Sequence, residues 1–153
     1  MGARRPADSF TEMVQVVLPN DANPLGKLLG GRLMHLIDMA GAMAAHRHSR
    51  SYAVTASMDH LDFLAPVDVG DLLILRASVN RAFHTSMEVG VKCWVESFIN
   101  GTIKHVSSAY LTFVAVDREL KHVPVPPVLP ETEDEKRRYA DAGRRRELRK
   151  IEI

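Results

Sequence analysis

The chain is nearly without cysteine: Cys93 is the single one in 153 residues. No intramolecular disulfide and no cysteine-built zinc cage is therefore open to it. Cys93 sits beside Trp94 in a strand-like run, which predicts burial as a small hydrophobe rather than nucleophilic duty. Net charge is nearly absent too. Twenty basic and nineteen acidic side chains leave +1, so no global field draws the protein toward nucleic acid or anionic lipid. Uninterrupted apolar runs are missing. The longest, from Leu28 to Ala45, is broken by Arg32, His35, Asp38 and glycines, which argues against a membrane span. Arg4 and Arg5 are followed by Asp8 and Glu12 rather than an apolar stretch, so no signal peptide is expected. A cytoplasmic protein is. The sequence also lacks the phosphate-binding loop, the dinucleotide glycine fingerprint, the serine-hydrolase elbow and the HExxH metal helix. His46 and His48 lie two apart on a helix and point in different directions, so no metal site is expected.

What is present suits one globular domain, with 46% hydrophobic and 25% charged residues. Met13 to Leu18 reads as a short strand, ended by Pro19-Asn20-Asp21. Ala22 to Leu29 holds Pro24 and Gly26 and reads as an ordered loop. A helix is predicted from about Gly30 to about His48, long enough at about 28 Å to cross a small domain. The period then changes. Tyr52–Asp59, Asp71–Val79, Thr85–Ser97 and Thr102–Val116 read as strands, separated by turn signals of which Asn100-Gly101 is a strong hairpin marker. One long helix and mostly short-turn strands imply an α+β fold with an antiparallel sheet. The helix is apolar round most of its circumference, so a sheet curled around it, covering more than one side, is expected. Met34, Met39 and Met43 then read as core filler.

One carboxylate interrupts this greasy helix. At 100° per residue Asp38 shares its stripe with Gly31, Met34, Ala42 and Ala45, three of them small. Something can approach the helix closely there. Two turns away on the same stripe, Gly30 and Gly31 open the helix with unsatisfied backbone N–H groups, able to receive a polarised carbonyl oxygen. A structural alternative stands beside this: Asp38 paired with His35 or Arg32 as a brace.

Four segments together resemble one family. They are Pro19-Asn20-Asp21-Ala22-Asn23-Pro24-Leu25-Gly26; Gly30-Gly31 with Met34 and Ile37-Asp38; Phe63-Leu64-Ala65-Pro66-Val67-Asp68-Val69-Gly70-Asp71; and His84 to Val89 with Tyr110 to Asp117. In this order they are similar to the hotdog-fold acyl-CoA thioesterases, in the branch of bacterial and cytosolic acyl-CoA hydrolases. The resemblance implies an antiparallel sheet around a central helix over residues 11–129. It also implies a homodimer, often three dimers in a hexamer. It implies Asp38 as the catalytic carboxylate, acting as general base or as nucleophile, and Asn23 as the residue orienting water or carbonyl. Gly30 and Gly31 would face the thioester oxygen, and Thr85 and Ser86 would lie near the coenzyme's pantetheine or phosphates. Phe63 and Met34 would border the acyl pocket. Acyl-CoA is then the substrate, with no further cofactor and no metal. A hotdog dehydratase of hydroxyacyl thioesters and a non-catalytic acyl-CoA sensor are the competing functions.

Residues 130–153 differ in composition. Pro124, Pro126, Pro127 and Pro130 mark a linker, and Glu131 to Lys150 holds almost nothing apolar. Thr132 with Glu135 predicts a capping box, and acids lead basic residues as the helix dipole favours. A solvated helix is expected, whose removal leaves stability nearly unchanged.

Overall fold

In the computed structural model, which describes residues 2–152, five strands form one antiparallel sheet. They are β1 (Thr11–Val16), β2 (Tyr52–Asp59), β3 (Leu72–Ala82), β4 (Ser86–Glu96) and β5 (Ile103–Val116), in the order β1-β3-β4-β5-β2. A one-turn helix α1 (Pro6–Ser9), which the sequence reading missed, precedes them. Helix α2 (Gly30–Ser49) connects the two edge strands. Four gaps of about 4.8 Å separate five strands, roughly 19 Å in all. Twenty residues of helix reach about 30 Å. The connection can therefore cross the sheet diagonally, and α2 packs against all five strands.

Strand alternation divides the sheet into two faces. Leu73, Leu75, Ala77 and Val79 of β3, Met87, Val89, Val91 and Cys93 of β4, and Leu111, Phe113 and Ala115 of β5 are all buried. Leu33, Leu36, Ile37, Ala40, Ala44 and Ala45 of α2 complete that core. Gly41 sets how closely the helix approaches. A Cβ there would lie 3.1 Å from the Phe113 ring and 3.6 Å from Val91, so the glycine trades helix propensity for contact with β4 and β5. Burial pushes the Cys93 thiol up to about 12, which leaves it protonated and inert.

The far end of α2 is locked in place. Arg50 adopts the left-handed conformation that closes the helix. His48 is fully buried, and its Nε2 lies 2.7 Å from the Pro126 carbonyl, which accepts its proton. Burial holds the imidazole below its usual range. The proline-rich segment is thus fastened to α2 rather than acting as a free linker.

Two expectations need correction. The sheet wraps α2 as expected but leaves part of its surface open, and there Met34, Met39 and Met43 are about 40% exposed rather than core filler. One methionine-rich face of α2 is thus left uncovered by the sheet. The C-terminal segment is helical, α3 (Glu133–Glu152), and the Thr132–Glu135 capping box forms in both directions. It is not a solvated appendage. Ala142 is fully buried, and the Arg81 guanidinium lies 4.1 Å from the Tyr139 ring centroid. Arg145 donates two hydrogen bonds, of 2.9 and 2.6 Å, to Glu88, a fully buried carboxylate on the outer face of β4. Arg149 reaches Asp59 at 2.8 Å. Composition hid this docking because arginine stems and guanidinium planes, not aliphatic side chains, make the contacts.

Arg145→Ala leaves Glu88 buried without its cation, a loss expected to cost about 3 kcal/mol or more. Arg144, paired with Asp141 at the exposed surface, should cost under about 1 kcal/mol when replaced by alanine. Urea unfolding of the two variants side by side measures the difference. Equal, small losses would contradict the docking of α3.

Candidate active site

Asp38 lies midway along α2, half-buried, on the face the sheet leaves open. Its brace with Arg32 does not form: Arg32 pairs with Asp21 at 3.0 Å. Among the described residues no ion pair involves Asp38. Its partner is Thr55 of β2, whose hydroxyl donates to Oδ1 at 2.6 Å. The contact depends on an irregularity in β2. Thr55 pairs with Phe113 and Ser57 with the next residue, Thr112, so Ala56 is an extra residue in the ladder. Such bulges re-aim neighbouring side chains, and here the result is a hydroxyl directed at the helix. The sequence reading did not single out Thr55. Strand alternation gives no sign of a bulge, so no signal marked it.

The other end of the helix is built differently. Leu29 precedes α2 without any side-chain cap, so the amides of Gly30 and Gly31 have no acceptor among the described residues. Nothing lies within 4 Å of the position a Gly31 Cβ would take, so its backbone is open to close approach. Phe63 packs against Gly30, 3.2 Å from that residue's notional Cβ. It also lines a cleft of about 290 Å³ with Leu28, Leu33, Leu64 and Val67. Phe63 and Met34 are both well exposed.

The loop carrying Asn23 is rigid for reasons visible in its bonds. The Asn23 side-chain oxygen accepts from the amides of Leu25 and Lys27, at 3.0 and 3.1 Å. Asp21 caps Leu18 and receives Arg32, while Lys27 pairs with Asp68 of a neighbouring loop. With its oxygen occupied, Asn23 presents its amide nitrogen as a donor. No hydrogen bond joins Asn23 to Asp38 within the chain among the described residues. Thr85 lies in the β3–β4 turn and Ser86 opens β4. Ser86 accepts a bond of 3.2 Å from Arg146 of α3, so this turn belongs to the α3 side, not to Asp38.

Chemically the chain offers an unpaired, oriented carboxylate, a pair of free backbone donors and an amide donor on a fixed loop. Asp38 and Gly31 are seven residues apart on one helix, about 10 Å along its axis.

Comparison with known proteins identifies the family. The model of the thioesterase superfamily matches residues 25–97. YkhA of Bacillus subtilis, an uncharacterized acyl-CoA thioester hydrolase, is 44% identical over 119 residues, or 78% of this chain and 69% of that protein. Mouse acyl-coenzyme A thioesterase 11 is 39% identical over 98% of this chain, which spans only 25% of the mouse protein. A hexameric acyl-CoA thioesterase superposes with a TM-score of 0.95 at 39% identity, covering 99% of this chain and 97% of the other. An acyl-CoA hydrolase from Staphylococcus aureus, solved with butyryl-CoA, CoA and CoA disulfide, superposes at 0.89 with 38% identity, covering 98% and 93%. Alanine variants of the S. aureus hydrolase have been solved at an asparagine, an aspartate and a threonine spaced as Asn23, Asp38 and Thr55 are here. The sheet laid around one long helix is the hotdog fold, and the chain belongs to the acyl-CoA thioesterases of the thioesterase superfamily.

Proposed function

We propose that the protein hydrolyses acyl-CoA to a free acid and coenzyme A, at a site shared between two copies of the chain. The observation that carries this is Asp38: a carboxylate on an apolar helix, with no cation, held by one hydroxyl. Asn23 and the Gly30-Gly31 amides come from one subunit and Asp38 with Thr55 from the other. Water between Asp38 and the thioester gives its proton to the carboxylate as its oxygen attacks the carbonyl carbon. Negative charge develops on the carbonyl oxygen, where the free amides at the start of α2 receive it. Collapse breaks the carbon–sulfur bond, and the thiolate leaves with the proton held by Asp38. Asn23 orients the water or the carbonyl with its free amide. No step draws on a metal or on a further cofactor.

A two-fold dimer suits the surfaces. Strand β2 is a sheet edge whose own Tyr52 and Val54 are exposed, and the methionine face of α2 is uncovered. Pairing two β2 edges would bury both and set two α2 helices side by side. Three such dimers in a hexamer is the proposed assembly, in line with the hexameric relative. Phe63 and Met34 then border the acyl chain, and Thr85 and Ser86 lie toward the coenzyme. The proposed substrate pool is cytoplasmic acyl-CoA.

Asp38→Asn keeps the shape and removes the proton acceptor. It should fold as the parent does and lose about 10²–10⁴-fold in kcat/KM, read as thiol release from a panel of acyl-CoAs. Wild-type turnover by a folded Asp38→Asn protein would end the assignment. Thr55→Val removes one hydrogen bond to a charged group, and should lower kcat by about 10-fold or more with KM little changed. A loss confined to KM would instead give Thr55 a binding role.

A further inference from the structure

We propose that the outer face of the sheet carries a second binding site, for a small anion bearing a diphosphate. Between α3 and strands β3, β4 and β5 lies a groove of about 390 Å³, within the range of small-molecule sites. Cross-strand register explains its shape. Ser78, Gly90 and Tyr110 stand in one row across the three strands, and Arg76, Lys92 and Ser108 in the next. These positions alternate with Ala77, Val79, Val91 and Ala109, which are buried against the α2 side. The floor is hollow because Ser78 and Gly90 are small. Gly90 is small of necessity, since a Cβ there would come within 2.9 Å of the Asn80 amide nitrogen. Asn80 is itself buried and spends that nitrogen on Glu88.

Charge is the second observation. Arg76 and Lys92 from the sheet and Arg137, Arg138 and Arg145 from α3 converge on this one groove. Arg145 is committed to Glu88, and Arg76 to Glu12 at 2.7 Å. Lys92 and Arg138 have no ion pair among the described residues, and Arg137 has only exposed Asp134. Asp141, the one acid lining the groove, is already taken by Arg144. Cations facing each other across a partly enclosed space repel, and a multiply charged anion between them relieves that repulsion. Aromatic faces complete the walls: Arg145 lies 3.6 Å from the Tyr110 ring centroid and Arg76 5.0 Å from that of Trp94. A protein of net charge only +1 thus gathers unpaired positive charge at one concave place, separated from Asp38 by the thickness of the sheet.

A diphosphate can come from two sources: coenzyme A itself, or a free phosphorylated metabolite. Trp94 is the only tryptophan in the chain and lines the groove, so its fluorescence reports occupancy without turnover. Titration with sodium pyrophosphate at fixed ionic strength should give a saturable change in Trp94 emission. Lys92→Gln, at an exposed position of β4, and Arg138→Gln, at a half-buried position of α3, should each weaken it about 10-fold while leaving the melting temperature in place. A coenzyme A titration that reproduces the change, and is weakened by the same substitutions, assigns the groove to the coenzyme's own diphosphate. No Trp94 response to coenzyme A, with pyrophosphate still saturating, assigns it to a free phosphorylated ligand. A linear response, one reproduced by sodium chloride at matched ionic strength, or one indifferent to both substitutions overturns the site.

Discussion

Helix α2 is held across five strands by the burial of one face, and that burial decides where its other residues can be. Leu33, Leu36, Ile37, Ala40 and Ala44 fix its rotation, and Gly41 fixes its depth against Phe113. With rotation and depth set, Asp38, Gly31 and the methionines must lie on the side away from the core. The sheet edge at β2 and this helix face are then left open together. A stable molecule of this kind meets water with apolar surface, or meets a second copy of itself.

Two carboxylates show how differently the fold treats negative charge. Glu88 is fully buried and answered by a bidentate arginine, the arrangement that makes a buried charge tolerable. It fastens α3. Asp38 is half-buried and, among the described residues, answered by a threonine hydroxyl and by no cation. The first is a structural clasp, and the second is the carboxylate to which the proposed function gives the base's role. Thr55 belongs with it because the β2 bulge holds that hydroxyl where the carboxylate needs it.

Much of this was legible in the residues. The period change after Ser51 marked where helix gives way to strands, and β2 was read to its observed ends, Tyr52 and Asp59. The pattern of apolar residues places the helix from about Gly30, where α2 begins, and Thr132 with Glu135 marks the capping box of α3. Local signals of this kind act within a few residues. What escaped depends on contacts distant in the chain. The β2 bulge, the bond from His48 to Pro126, and the clasp of Glu88 by Arg145 join segments up to 78 residues apart. Charge pattern alone does not tell a guanidinium in water from one stacked on a tyrosine, so the arginine-rich helix reads as solvated. A single sequence does not distinguish a helix face buried by the sheet from one left open, so the methionines read as core.

If Asn23 of one chain and Asp38 of another build each site, two differently damaged chains must complement one another. Asn23→Ala and Asp38→Ala chains, each inactive alone, can be co-expressed so that they assemble at random. About half the dimers are then mixed, each holding one intact and one doubly altered site, and roughly a quarter of all sites should recover activity. Turnover no greater than the sum of the separate variants, in a sample shown by native mass spectrometry to contain mixed dimers, would contradict it.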